Sequence, residues 1–149
     1  MPNPTAYTGF ALLMFAGGIA IPIMAALNSQ LGIRIGSPWA AAFILFVVGA
    51  LATGAVLLVN GLPKAPFSAP PQFYAGGLLV SIYILGITWA APRIGVGNAI
   101  FFVLFGQIVA ASAIDHFALF GATRSPLTLQ RGVGIAFMLV GVFLARKVA

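Results

Sequence analysis

Five long apolar runs, separated by short polar or proline-rich stretches, dominate the pattern along the chain. Because a helix needs roughly 20 apolar residues to cross a bilayer, each run is long enough to be a membrane span or close to it. A membrane barrel would show strands of about ten residues with alternating hydrophobicity, and no such alternation is present. The pattern therefore predicts five helices, at approximately 7–31, 38–60, 73–90, 96–120 and 131–145.

The boundaries of these runs carry turn signals. Residues 61–72, "GLPKAPFSAPPQ", are a predicted loop, since repeated prolines do not continue a helix. Residues 121–130, "GATRSPLTLQ", are predicted to be a polar loop. Pro38 suits the first turn of the second helix, and Pro92 is expected to end the third. The fifth run is short, so its helix either tilts little or begins one turn earlier, near Leu127.

We expect one transmembrane domain over residues 1–149, with no internal repeat and no soluble domain. The first five residues lack the basic residues of a signal peptide, so the first apolar run is expected to be retained.

Composition strengthens the membrane assignment and narrows the chemistry. The chain is 62% hydrophobic and 5% charged, with a mean hydropathy of +1.14. It has no cysteine, one histidine and one acidic residue, which gives no basis for a metal site, a cofactor or an enzyme active site. Its seven lysines and arginines are scattered along the chain and form no basic patch, unlike a nucleic-acid surface. They are interpreted as helix-end anchors that contact anionic lipid headgroups.

These basic residues are almost evenly divided between the two sides of the membrane. Five spans put the termini on opposite sides, with three basic residues on the N-terminal side and four on the other, so the positive-inside rule gives no clear orientation. Either another feature sets the orientation, or the chain inserts both ways and pairs with an inverted copy. The second alternative predicts an antiparallel homodimer of ten helices, because many secondary transporters consist of two inverted repeats. The N-terminal side carries Lys64, Arg124 and Arg131, and the other side carries Arg34, Arg93, Arg146 and Lys147.

The only carboxylate of the chain, Asp115, is followed directly by the only histidine, His116, near the end of the fourth run. A carboxylate inside the bilayer is costly and usually faces a cavity or a partner. One interpretation is structural: Asp115 pairs with Arg124, Arg131 or His116 and fixes the helix end. The other is functional, with Asp115 and His116 as a proton-coupling site or a gate.

Two amides on the same run are candidate substrate contacts. Gln107 precedes Asp115 by eight residues, about 12 Å along a helix and roughly 80° around it, so the two can share a broad face. Asn98 lies roughly 180° from Gln107 around a straight helix and cannot share that face. Either amide can equally hydrogen-bond a neighbouring helix, an interaction worth about 0.6 kcal/mol in membranes.

The first run contains a helix-breaking signal at Gly17, Gly18 and Pro22. Pro22 removes the donor for the Gly18 carbonyl, and opened backbone in a membrane lies where it is buried in protein or lines a cavity. Glycine- or proline-interrupted spans are typical of transporter binding sites, although a simple proline kink gives the same pattern. Asn28, one turn after Met24, is the polar candidate on this helix.

Two further features are open to two interpretations. Tyr83 is an interior aromatic that either lines the transport path or packs in the apolar core. Gly134 and Gly141, seven residues apart on the fifth run, form a face of small residues that allows close helix packing. The helix that packs there belongs either to the same chain or to a second protomer.

Three segments, "PIMAALNSQLG", "GQIVAASAIDHFALFG" and "QRGVGIAFMLVGVFLA", resemble the YdcZ-type branch of the drug/metabolite transporter superfamily. The resemblance covers nearly the whole chain and implies a bacterial inner-membrane protein of about five helices, with members of dual or opposite orientation. It points to Asn28, Gln107, Asp115 and His116 as site residues. Members often have a glutamine where this chain has Met24. The related small multidrug resistance transporters use a first-helix glutamate that is absent here.

The leading hypothesis is a small secondary transporter that moves a small molecule by alternating access between inverted protomers. Its substrate would bind between protomers near the midplane, against Asn28 and Gln107. The alternative is a membrane scaffold or accessory subunit that transports nothing and whose polar residues only hold helices together.

Overall fold

A computed structural model describes residues 4–63 and 69–145, and the side chains from residue 6 onward within these ranges. The described chain is all-α and contains no strand. Its five helices are α1 (Pro4–Arg34), α2 (Pro38–Asn60), α3 (Gly76–Ile94), α4 (Val96–Phe117) and α5 (Leu129–Ala145).

Local chemistry sets both ends of α2. The hydroxyl of Ser37 accepts a hydrogen bond from the Ala40 N–H at 3.2 Å, and Pro38 occupies the first turn. Such a cap stabilises a helix start because it satisfies a free N–H group. Gly61 follows the last helical residue at a φ of 89°, a conformation that glycine adopts without strain. The helix bounds coincide with the predicted range 38–60.

Helices α1 and α2 form a hairpin that is closely packed beside its turn. Gly36 makes the turn at a φ of 69°. Gly32 faces the start of α2, where an added methyl group would lie 3.1 Å from the Cα atom of Pro38. The glycine at position 32 therefore permits a backbone approach that a larger residue would block.

The predicted interruption of the first span does not break the helix. Helix α1 continues through Gly17, Gly18 and Pro22 over 31 residues. The proline still lacks an N–H for the Gly18 carbonyl, but a single missing bond is tolerated in a membrane helix. At about 1.5 Å per residue α1 is roughly 46 Å long, so it extends beyond a hydrocarbon core of about 30 Å or tilts within it.

Helix α3 differs from its predicted range at both ends. A short 3-10 helix over Pro71–Ala75 leads into it, so helical structure begins before position 73. At the other end α3 continues past Pro92 to Ile94, whereas the sequence predicted a stop near Ala90. Pro92 lies in the last turn, where the helix loses only the bond to the Thr88 carbonyl.

Helix α4 ends three residues earlier than predicted. Ala118 adopts a left-handed conformation, with φ 52° and ψ 40°, and its N–H bonds to the Ile114 carbonyl. This is the geometry of a helix C-cap, which is usually built on glycine. The 3-10 helix Leu119–Gly121 follows. Asp115 therefore lies in the last turn of α4, whereas the predicted range 96–120 placed it one turn further inside the helix.

Four helical segments are long and apolar enough to cross a membrane: α1, α2, Pro71–Ile94 and α4. Helix α5 is shorter, with 17 residues, or about 25 Å. The described chain thus supplies four to five membrane-spanning helices. Of the basic residues in the orientation count, Lys64, Arg146 and Lys147 lie outside the described residues, so the balance of charge between the two sides stays a prediction.

The chain forms two compact units, Met1–Arg93 and Ile94–Ala149. Small and β-branched side chains form the core of the first unit, which allows close contact of its helices. In the second unit Ala99 and Phe101 are buried, and the Phe101 ring contacts those of Phe102 and Phe143 edge to face. The buried apolar residues of the first unit are Ala25, Ala41, Ala42, Ile84, Ile87 and Ala91.

Candidate functional site

Asn28 is buried in the first unit and holds α1 to α3. Its side-chain Nδ2 donates a hydrogen bond of 2.6 Å to the hydroxyl oxygen of Thr88. The two residues are 5% and 1% exposed, so water does not replace this bond. Asn28 also lines an apolar cavity of about 300 Å³ with Met24 and residues of α2. This bond gives the side-chain NH2 group of Asn28 a hydrogen-bond partner. Asn28, the polar candidate on the first helix, is therefore part of the contact between α1 and α3.

A second cavity of the first unit, of about 370 Å³, lies beside this pair, towards the C-terminal ends of α1 and α3. Ser29 and Thr88 line it, together with Arg93. The Ser29 hydroxyl is buried and has no hydrogen-bond partner among the described residues. The remaining lining residues are Gly32, Ile33, Gly36, Pro38 and Pro92. This cavity therefore combines hydroxyl groups with a guanidinium.

Arg93 is held in place at the end of α3. Its guanidinium carbon lies 4.3 Å from the centre of the Trp89 ring, and its Nη1 donates to the Trp89 carbonyl oxygen. A cation over an indole ring is attracted to the face of the ring. Among the described residues these contacts use one of the five N–H donors of the guanidinium, which leaves the other four without a hydrogen-bond partner there.

Tyr83, the aromatic candidate on α3, is half-buried. Its hydroxyl oxygen is buried without a hydrogen-bond partner in the described chain. A buried hydroxyl normally finds a partner, so this group is free to bond a ligand, a water molecule or another chain.

Gln107 lies in the middle of α4, with 11 residues of the helix before it and ten after it. Its side chain is exposed, and no hydrogen bond joins it to the described residues. The neighbouring polar residue Ser112 differs, because its hydroxyl bonds to the Ile108 carbonyl of the same helix at 2.7 Å. Gln107 is thus a free amide at mid-span.

Asn98 lies near the start of α4 and is half-buried. Its Nδ2 donates to the Ile94 carbonyl at 3.0 Å, while its Oδ1 is buried without a partner in the described chain. It lines a cavity of about 350 Å³ between the start of α4 and the end of α5, which is also lined by Phe101 and Val142. Asn98 therefore has one free acceptor at a cavity of the second unit.

Asp115 is paired with Arg131, one of the three partners that the sequence offered. The two side chains are 2.5 Å apart, between Asp115 Oδ2 and Arg131 Nη2, and are 36% and 35% exposed. Arg131 also donates to the carbonyl and the hydroxyl of Ser125, at 2.8 and 2.7 Å. The Ser125 N–H in turn bonds to the Asp115 carbonyl at 2.9 Å. These bonds join the end of α4, the following loop and the start of α5.

His116 contributes a separate contact to the same region. Its Nδ1 accepts a hydrogen bond from the Leu127 N–H at 3.0 Å, and its ring lies edge to face with Phe117. Since Nδ1 accepts, the proton of the neutral ring is on Nε2. A cavity of about 460 Å³ with an almost entirely apolar lining lies against this ring. We refer to Asp115, His116, Ser125, Leu127 and Arg131 as the α4–α5 network.

Gly134 and Gly141 lie exposed on α5. An added methyl group at either position would meet nothing within 4 Å. No other part of the described chain covers this small-residue face, and its packing against a neighbour stays a prediction.

The four residues to which the family resemblance points fall into three groups. The α4–α5 network contains Asp115 and His116, Asn28 is bonded to Thr88, and Gln107 is bonded to neither group. Asn28 and Gln107 belong to different units.

Comparison with known families gives a match over most of the chain. A family model described as "Putative inner membrane exporter, YdcZ" matches residues 9–144. The chain belongs to the YdcZ family. Searches of the curated proteins and of the solved structures find no significant match.

Membership confirms the resemblance carried by the three sequence segments. Together with the apolar helices, it makes the chain a multi-pass protein of the inner membrane. As a member of an exporter family, this YdcZ protein fits a transporter better than an enzyme.

Sequence reasoning missed three residues of this YdcZ protein: Ser29, Thr88 and Arg93. Arg93 was considered only as a helix-end anchor. The available signal was Pro92, because a proline frees the carbonyl four residues earlier, which is that of Thr88. Nothing in the sequence indicated that Asn28 bonds to a residue 60 positions away.

Proposed function

We propose that this YdcZ protein is a secondary transporter that moves a small molecule across the inner membrane by alternating access between two inverted copies of the chain. The exposed, unbonded amide of Gln107 at the middle of α4 is the observation that carries this proposal. Family membership supports the general activity, export across the inner membrane.

The position of Gln107 gives the physical reason. About ten residues separate it from each end of α4, or roughly 15 Å, so an α4 that spans the membrane carries this amide near the centre of the hydrocarbon layer. An unsatisfied polar group costs several kcal/mol in contact with lipid. The amide therefore faces a polar partner or a hydrated path, and a substrate path at mid-span provides both.

A second copy in the opposite orientation completes the machinery in this proposal. The nearly even distribution of basic residues permits both orientations. Two such copies supply the inverted repeats on which many secondary transporters are built, from a single short chain. The uncovered face at Gly134 and Gly141 offers one surface for close contact between helices.

The remaining candidates have defined roles in the transport cycle. Asn28 contacts substrate when its bond to Thr88 opens, and Tyr83 and Asn98 each offer a free polar atom to the path. In the proposed cycle the Asp115–Arg131 pair, whose side chains are in contact in the described structure, acts as a gate that either couples protons to transport or only holds one state.

Purified protein in liposomes tests transport directly. The change Asp115→Asn should abolish pH-driven movement of solute and leave the dimer intact if the carboxylate couples protons. Gln107→Leu should reduce transport by about tenfold or more, since a hydrogen bond at the path is lost, while leaving the protein folded. Exposed Val109→Leu on the same helix is the matched control and should transport normally. Transport by Gln107→Leu at the control rate would contradict the role of the amide.

A membrane scaffold is the second candidate, because Asn28 and Asp115 are both engaged in contacts between helices. A scaffold would move no solute under any imposed gradient. The same liposome experiment with the unmodified protein therefore separates the two functions.

A further inference from the structure

The cavity lined by Ser29, Thr88 and Arg93 has an unusual balance of polar groups. We refer to it as the α1–α3 cavity. Its volume, about 370 Å³, is within the range of small-molecule sites. The hydroxyl of Ser29, which is 3% exposed, has no partner in the described chain. An empty apolar gap between helices would not require two hydroxyl groups and a guanidinium.

The charge at this cavity is positive. Arg93 is the charged residue in its lining, and the only acidic residue of the sequence, Asp115, belongs to the other unit. The C-terminal ends of α1 and α3 each contribute about half a negative charge and the N-terminal end of α2 about half a positive one, so the sum with Arg93 is positive. A cationic ligand would have no counter-charge here, whereas an anionic group would find one.

The donors also exceed the acceptors. Ser29 and Thr88 each carry an O–H, and the Thr88 oxygen already accepts from Asn28, which directs its own hydrogen elsewhere. Arg93 adds guanidinium donors that match a carboxylate in a two-point geometry. The acceptors for a ligand hydroxyl are the unpartnered Ser29 oxygen and the Thr88 carbonyl, which lacks its usual donor at Pro92.

From this arrangement we propose that the α1–α3 cavity binds a small hydroxycarboxylate, with the carboxylate on Arg93 and Ser29 and a hydroxyl near the Thr88 carbonyl. The proposal of a binding site depends only on the contacts and charges of the residues that line this cavity. Its assignment to the transported solute rests on the proposed function.

Trp89 makes the binding measurable. The chain has two tryptophans, so Trp39→Phe leaves Trp89, against which Arg93 lies, as the reporter of the cavity. The purified variant in detergent is titrated with hydroxycarboxylates from lactate to gluconate, and fluorescence and calorimetry follow binding. Lactamide serves as the uncharged comparison for lactate, and ethanolamine as the cationic one.

We expect saturable binding of at least one of the hydroxycarboxylates and none of lactamide or ethanolamine. Arg93→Gln should weaken this binding by about tenfold or more, and Ser29→Ala by roughly threefold to tenfold. Arg93→Lys should retain part of the affinity, which excludes simple misfolding. Arg34→Gln removes an arginine at the end of α1 that does not line the cavity, and it should change the affinity by less than about twofold.

Three results would overturn the site: no saturable binding of any hydroxycarboxylate, equal binding of lactamide, or binding that Arg93→Gln leaves unchanged. The first of these results, together with a response to phosphatidylglycerol micelles, would assign the cavity to a lipid headgroup. Transport is measured separately in liposomes. Binding without transport contradicts the proposed function alone, and transport without binding contradicts this site alone.

Discussion

The hydrogen bond between Asn28 and Thr88 allows a quantitative test of how the first unit is held together. The two perturbations are Thr88→Val, which replaces the hydroxyl by a methyl group of similar size, and Asn28→Ala, which removes the amide. Each is made alone and then both together, so that the coupling energy of the pair is separated from changes in packing.

The structure sets the expected magnitude. The bond is 2.6 Å long and joins two residues that are 5% and 1% exposed. Hydrogen bonds between membrane helices average about 0.6 kcal/mol and reach about 1.7 kcal/mol. Because this bond is short and shielded from water, we expect a coupling in the upper half of that range, about 1 to 1.7 kcal/mol. That corresponds to roughly a fivefold to twentyfold change in the unfolding equilibrium.

Reversible unfolding in mixed micelles, followed by circular dichroism, measures the four free energies of unfolding. Thr53→Val is the matched control, since the Thr53 hydroxyl is exposed and bonds only to carbonyls of its own helix. It should change the free energy of unfolding by less than about 0.5 kcal/mol. A coupling energy between Asn28 and Thr88 that is indistinguishable from zero would refute the assigned role of this bond.

The remaining predictions concern stability of the helix contacts and ends, and each is read from the same unfolding measurement. Gly32→Ala should lower the free energy of unfolding by about 1 to 3 kcal/mol, because the added methyl group crowds α2. Gly17→Ala, which has open space around it, is the control and should be neutral or slightly stabilising. Equal effects of the two changes would contradict the close approach of α1 and α2 at Gly32. Ala118→Gly should raise the free energy of unfolding by up to about 1 kcal/mol, since the left-handed conformation strains alanine. A loss of stability would show that Ala118 does not adopt the left-handed conformation. Arg131→Gln should destabilise more than Asp115→Asn, because the arginine makes three of the side-chain bonds of the α4–α5 network while the half-exposed ion pair itself contributes about 1 kcal/mol or less. The reverse order would argue that Arg131 carries an uncompensated charge once Asp115 is neutralised.

The helices of this protein were the predictable part of the fold. Apolar length alone located all five, and α2 could be bounded to the residue because Pro38 and Gly61 flank it with unambiguous signals. Pro92 misled the prediction for α3. A proline in the last turn of a helix costs one hydrogen bond, which packing can offset, so its presence does not fix the helix end.

The end of α4 was not predictable for a related reason. Ala118 adopts a conformation that is typical of glycine, and alanine gives no signal of it in the sequence. The predicted range therefore placed Asp115 further inside the span than it lies in the structure.

Local sequence patterns could not predict contacts between residues that are far apart in the chain. The sequence offered three partners for Asp115 and did not discriminate between them, since all were compatible with the loop length. The bond from Asn28 to Thr88 depends on how α1 and α3 cross, which hydrophobic periodicity does not specify. Ser29, Thr88 and Arg93 form a polar cavity only through that crossing.

The central claim, that two copies of this chain lie in opposite orientations, is tested most directly by thiol accessibility in cells. The sequence contains no cysteine, so Ile35→Cys and Leu62→Cys each introduce a single reporter, at opposite ends of α2. Both side chains are exposed. A membrane-impermeant maleimide applied to intact cells should label roughly half of the molecules at each position, with the other half reacting only after permeabilisation. Complete labelling at one position and none at the other would show a single orientation and contradict the account.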